Sequence, residues 1–216
     1  MEAQPYISQS SFHQSARFKS SRCVWLPPYA EARILLEKYI QDIDHVHHVV
    51  YCPSLLSALD EVYACLNQQG QVKPGTVILL LSIFASSTHS WVRRDYERGL
   101  FTTAAEANSQ SPLWIKAAED VLDIGHRTAR VSIEGIQGIV IVSFVLGNLE
   151  GISRRCRSLY NMGLLLARKL GLHCLDHPSN THLTNWVQAE IGRRVWWYLA
   201  ASDWWALASS HTLKPG

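Results

Sequence analysis

Several groups of side chains in this 216-residue chain have types that could do chemistry. His45-Val46-His47-His48 is its one local histidine cluster, and neutral imidazoles are common metal ligands. No HExxH, paired cysteine or carboxylate at defined spacing completes a site around it, so the pattern is that of a solvated or capping helix end. Cys156 lies among Arg154, Arg155 and Arg157, cations that would lower its thiol pKa, but no histidine base stands at a defined spacing. A plain surface thiol is the stronger reading and a redox-sensing one the weaker. Trp196-Trp197 and Trp204-Trp205 fall seven to eight residues apart, two turns along nearly the same face of a helix. Trp196, Trp197 and Trp204 could floor a ligand pocket, although core packing is the simpler use of indole surface. Glu190 and Arg194 are spaced to pair along that helix. Asp203, between Ser202 and Trp204, is expected to be partly buried with a partner on another helix, since Arg193 and Arg194 lie ten and nine residues earlier.

No catalytic residue emerges. GxSxG elbows, GxGxxG loops and Walker loops are absent, which removes the support for serine hydrolases and nucleotide enzymes. Five cysteines without a CxxC pair write neither a zinc site nor a disulfide framework. A net charge of +2, dispersed along the chain, lacks the electrostatic footprint of an autonomous DNA binder. With 47% hydrophobic and 18% charged residues, the chain has a core to build.

The elements that must position these residues read as helices. Ala32, Leu35, Leu36, Tyr39, Ile40 and Ile43 recur at three-and-four spacing after Leu26-Pro27-Pro28. Pro53 opens a second helix ending before Gly70, and Pro74 a third through Phe84. A helix is expected across 91–108, then another that starts at Ser111-Pro112 and stops at Gly125. Ser132 and Glu134 begin a segment that runs to Leu149, before Gly151. From Ser153, the stripe Leu159, Met162, Leu166 and Leu170 predicts a helix with Gly163 and Ala167 at a close approach and Gly171 as its left-handed stop. A polar turn follows, and the last helix begins near Thr184. Two uncharged runs, 74–92 and 135–149, approach membrane-span length, but buried helices account for them better. Their β-branched stretches, 76–84 and 139–146, leave an α/β alternative open. The absence of hairpin turns and phosphate loops favours an all-α fold, a multi-helix array over 26–216 behind a disordered N-terminal lead, 1–25.

Two blocks, Ala167 to His173 and Glu190 to Asp203 with Arg193-Arg194-Val195-Trp196-Trp197 inside it, stand in the order and at about the distance seen in one family. Together with Leu26-Pro27-Pro28 and Ser132-Ile133-Glu134-Gly135-Ile136-Gln137, they resemble the middle homology region of fungal zinc-cluster transcription factors, related to that of the xylanolytic activator. The resemblance implies an all-helical regulatory domain, nuclear with a cytoplasmic alternative, that modulates transcription and is not an enzyme. It marks Gly171, Leu172, His173, Glu190, Arg193, Arg194, Trp196, Trp197 and Asp203 as motif positions. Zinc is implied only for the family's six-cysteine DNA-binding cluster, whose C-x2-C-x6-C pattern does not occur here, so no cofactor is expected. The chain ends at Leu213-Lys214-Pro215-Gly216, near where the family continues through a Gly-Arg-Pro turn into further helices, so it reads as the N-terminal portion of that domain. The expected partners are proteins, either a second copy or a full-length relative, with DNA reached only through them; a small-molecule effector is a further expectation and a membrane is not. The rival readings are a helical ligand carrier or enzyme with a Trp-lined pocket, and a non-functional truncated fragment.

Overall fold

Backbone N–H and C=O groups buried among apolar side chains must pair with each other, and both uncharged runs do so as helices. The computed structural model describes residues 25–127, 132–177 and 185–211. Its helices are α1 (Tyr29–Asp42), α2 (Asp44–His47), α3 (Leu55–Asn67), α4 (Pro74–His89), α5 (Ala104–Arg127), α6 (Ile133–Glu150), α7 (Arg154–Lys169) and α8 (Trp186–His211), with 3-10 turns at Cys52–Ser54, Arg93–Arg98 and Leu172–Cys174. Among the described residues no strand forms, so the fold is all-α. The expected disordered lead lies outside the described residues up to position 24.

Helix α4 is the centre of the array. Every residue from Gly75 to Thr88 is buried, with α5 and α6 packed along it, α1 on a further side, and α7 and α8 beyond α6. Small residues let α4 and α6 meet: a Cβ on Gly138 would come within 2.7 Å of Ile78 Cγ2, and one on Gly75 would collide with the Ser132 hydroxyl. The β-branched run of α6 is therefore helical because its surroundings, and the Gly135 and Gly138 notches, suit a helix, overriding its strand propensity. By length and composition α6 could cross a membrane; here other helices cover its residues Gly135 to Ser143.

Three expected boundaries are corrected. Ser111-Pro112 does not open a helix but sits inside α5. The start is taken by Thr103, whose hydroxyl accepts from Glu106 N–H at 3.1 Å while the Glu106 carboxylate accepts from Thr102 N–H at 2.9 Å, a cap that outcompetes Ser111. Ser111 Oγ instead donates to the Ala85 carbonyl of α4 at 3.0 Å. The same helix runs through Gly125 to Arg127. Over 91–108 the chain makes only the Arg93–Arg98 turn, closed by Gly99 at φ 74°, before α5 begins. The second helix does end before Gly70, at Asn67, and Gln69 takes the left-handed conformation after it, φ 55°.

One charged pair lies inside the core. Lys38 of α1 and Asp95 of the Arg93–Arg98 turn form an ion pair of 2.7 Å with both side chains 1% exposed. Asp95 also accepts from Val92 N–H at 2.9 Å and Arg98 Nε at 3.1 Å. Burial pushes the Asp95 carboxyl up, but hydrogen bonds from Lys38 and Val92 and the Lys38 charge outweigh it, leaving the group below its ordinary value. Lys38 also lies 5.6 Å from the Trp91 ring centroid. This pair was not legible as such, since α1 reads as an ordinary amphipathic helix with lysine on its polar side. Replacing Lys38→Met removes the buried cation and leaves the Asp95 carboxylate with Arg98 as its cation, and is expected to cost about 3 kcal/mol in urea unfolding. Adding Asp95→Asn to that variant should restore a good part of the loss; a single variant as stable as the parent would show that the pair does not hold the turn.

Candidate functional site

The two motif blocks meet. Helix α7 starts on Ser153, whose hydroxyl accepts from Cys156 N–H at 3.1 Å, and stops at Gly171, which at φ 73° supplies the left-handed residue that reverses the chain. The turn that follows folds back on α8. Leu172 and Leu175 pack over Gly192, where a Cβ would come within 2.6 Å of Leu175 Cδ1. His173 lies against Trp196 with ring centroids 5.7 Å apart. Asp176 accepts from Arg193 Nε at 2.6 Å. About two turns before Gly171 on α7, Gly163 leaves room for Leu199 of α8 and Ile139 of α6. Glycines, not the charged or aromatic residues, set how closely this joint closes.

Glu190 ties the outer side of the joint together, accepting from Arg194 Nε at 2.8 Å and Arg193 Nη1 at 3.4 Å. The Arg194 hydrogen bond, with the charges of Arg194 and Arg193, holds its carboxyl below the ordinary value against the opposing effect of desolvation. Arg194 also donates to the His48 carbonyl at 3.4 Å, joining α8 to the end of α2. Asp203 is half-buried, as its neighbours suggest, and forms no ion pair with a described residue. Trp196 is half-buried, whereas Trp197 and Trp204 are 66% and 76% exposed. A cleft of about 240 Å³ lies between the 172–177 turn and α8, lined by His173, Asp176, Arg193, Trp196 and Trp197 among others. Trp204 does not line it. Of the three tryptophans considered for a pocket, two therefore meet and the third stands further along the helix.

Two other groups differ from their sequence reading. His47 is not a solvated helix end: the single turn of α2 points it inward, 5% exposed, with its ring 4.7 Å from Phe144 and 6.5 Å from Tyr39. Neither ring nitrogen has a partner among the described residues. Burial, with smaller contributions from His45 and His48, lowers its pKa to about 4. Cys156 is not a surface thiol either; it is buried, donates to the Ser143 carbonyl at 3.4 Å, and burial pushes its pKa up. Its neighbour Arg155 turns away to Glu119 and Glu150. Gln137, noted in the resemblance, anchors α6 by donating to the Val49 carbonyl at 2.6 Å. Among the described residues no three His, Cys, Asp or Glu side chains converge to hold a metal ion.

Comparison with known proteins adds what geometry does not. The probable transcription factor lepB of Aspergillus flavus is 38% identical over 187 residues, 84% of this chain and 33% of that protein. Transcription factor TAS2 of Pyricularia oryzae is 30% identical over 84% of this chain and 24% of its own length. The agnestins biosynthesis cluster transcription factor AgnL11 of Paecilomyces divaricatus is 29% identical over 83% of this chain and 26% of its length. The chain thus spans a third or less of the curated relatives it matches. No family model matches it, and no solved structure does.

Two outcomes follow from this geometry. Gly192→Val should wedge Leu175 off α8, cost about 1–3 kcal/mol in thermal unfolding and speed tryptic cleavage at Arg168 and Lys169; unchanged melting and cleavage would mean the turn does not seat on Gly192. For His47 the folded pKa lies below the unfolded one, so the unfolded state binds the extra proton. Stability is full above about pH 6.5 and declines as pH falls towards 4, by on the order of 3 kcal/mol. His47→Phe should flatten that part of a urea-midpoint against pH curve, and an unflattened curve would place the titrating group elsewhere.

Proposed function

Since the chain is homologous to one segment of fungal transcription factors, we propose that it is a regulatory module of transcription that works through protein–protein contacts and carries out no chemistry of its own. The observation that carries this reading is the similarity to three proteins named as transcription factors over 83–84% of this chain. The joint between the 171–177 turn and α8 supports it. Its polar groups are spent on one another, Arg193 on Asp176 and Glu190, Arg194 on Glu190, in the manner of a structural hinge rather than of a poised acid–base pair. In this reading Gly171, Leu172, His173, Glu190, Arg193, Arg194 and Trp196 fix the angle of α8, and Trp197 offers surface to a partner.

We place the module in the nucleus on its similarity to proteins named as transcription factors, and assign no DNA contact to its residues, among which the C-x2-C-x6-C pattern does not occur. A small-molecule effector is a second reading, favoured by the cleft between the 172–177 turn and α8, where two indoles, an imidazole and a guanidinium face a space of about 240 Å³.

The test is a fusion of the full chain to a heterologous DNA-binding domain in a filamentous fungus, upstream of a reporter. Reporter output should change in either direction relative to the DNA-binding domain alone, and Gly192→Val should abolish the change. A fusion that accumulates in folded form and leaves the reporter unaltered contradicts the proposal.

A further inference from the structure

Helix α8 has two faces. Ala189, Ile191, Gly192, Val195 and Leu199 are buried against the rest of the array, while Trp186, Trp197 and Trp204 stand 77%, 66% and 76% exposed. At 100° per residue, positions 186, 197 and 204 fall within about 20° of one another, so the three indoles form a single stripe opposite the buried face. Arg193 lies on the same stripe, half-exposed. Large aromatic groups exposed along one line of a helix are what a protein surface ordinarily avoids, and they mark a contact site.

The spacing identifies the occupant. Along the stripe the residues are Trp186, Arg193, Trp197 and Trp204, separated by seven, four and seven positions. That interval series reads the same from either end, with its midpoint at residue 195. A second α8 laid antiparallel across a two-fold axis there puts Trp186 opposite Trp204 of the second copy, and Arg193 opposite its Trp197. Each guanidinium can then lie over an indole while keeping its bond to Asp176, an attractive arrangement that repeats on both sides of the axis. Seven-and-four spacing is also that of a helix–helix seam, so the row stays in register over five turns.

We propose that the Trp186, Arg193, Trp197, Trp204 stripe is a self-association surface that binds the same stripe of a second copy of this chain, antiparallel. Three indoles at these exposures offer roughly 500 Å² per copy, about 1,000 Å² in all, and the stems of Glu190 and Arg193 bring the total to the lower end of specific interfaces at about 1,200 Å². The pairing is therefore a reversible one that depends on concentration. The inference names the partner left general in the proposed function and rests on that reading only for its role; its readout is mass in solution, which is independent of any effect on a reporter.

The test is sedimentation velocity and light scattering on the full chain over a concentration series. The chain should move from 24.4 kDa towards twice that mass as concentration rises. Trp197→Glu and, separately, Trp204→Glu should each weaken the dimer by about 30-fold or more while leaving the circular dichroism unchanged, since both side chains point away from the core. For the register, Trp186→Cys and Trp204→Cys chains should cross-link to each other when mixed, as identified by peptide mass, and not to themselves. A chain that is monomeric at every concentration overturns the proposal, and so does a dimer unaffected by both glutamate variants. Cross-links joining position 186 to 186, or 204 to 204, within either separate sample overturn the antiparallel arrangement.

Discussion

Helix α4 has no charged residue and no exposed face between Gly75 and Thr88, and the rest of the fold is organised by the need to enclose it. A helix apolar on one stripe can rest on a single neighbour, but one apolar all round needs cover on every side. That cover comes from α1, α5 and α6. Helix α6 is nearly as apolar, so it in turn needs α7 and α8, and the outer layer exists because the inner one cannot end at α6. Burial of this kind is non-directional. It fixes that the helices associate without fixing how they are aligned.

Alignment comes from a few polar bonds inside the apolar mass. Ser87 of α4 donates to the Leu35 carbonyl at 2.8 Å, Ser111 of α5 to Ala85, and Gln137 of α6 to Val49. Each would be lost, with a buried group left unpaired, if its helix slid by one residue. The Lys38–Asp95 pair does the same for the turn between α4 and α5. Glycines supply the other half of the specification: Gly138, Gly163 and Gly192 are the places where neighbours come too close for a Cβ. The outer joint, with Gly171 to reverse the chain and Gly192 to receive it, converts two separate sequence blocks into one surface, with Trp197 at its edge.

Most of the helices were legible because periodicity and stop signals agree with the tertiary packing, as in α1, α7 with its Gly171 stop, and α6 between Ser132 and Gly151. The fully buried helices were harder to read, since a run that is apolar on all sides shows no period, and the strand alternative for 139–146 fell only to the packing around Gly138. At α5, two cap signals competed. Thr103 with Glu106 was visible in the sequence as a T-x-x-E pattern, and Ser111-Pro112 masked it. The motif residues could be named from the blocks, but not their pairings: Asp176 with Arg193 and His173 with Trp196 depend on how sharply Gly171 turns the chain. His47 and Cys156 were misplaced for one reason. Polar neighbours in sequence, His45 and His48 or the arginines around Cys156, say little about a side chain that the helix directs the other way.

The relation to fungal transcription factors goes with an architecture whose motif residues gather at one joint, between the 171–177 turn and α8. Everything in that account depends on α4 and α6 being enclosed by the other helices of this same chain. Hydrogen exchange on the full chain measures this most directly. Amides over 77–88 and 136–146 should exchange slowest, together, and only through global unfolding, with 172–177 opening at much lower cost. Exchange over 77–88 as fast as over 172–177 would mean that α4 is not enclosed, and the account would fail at its centre.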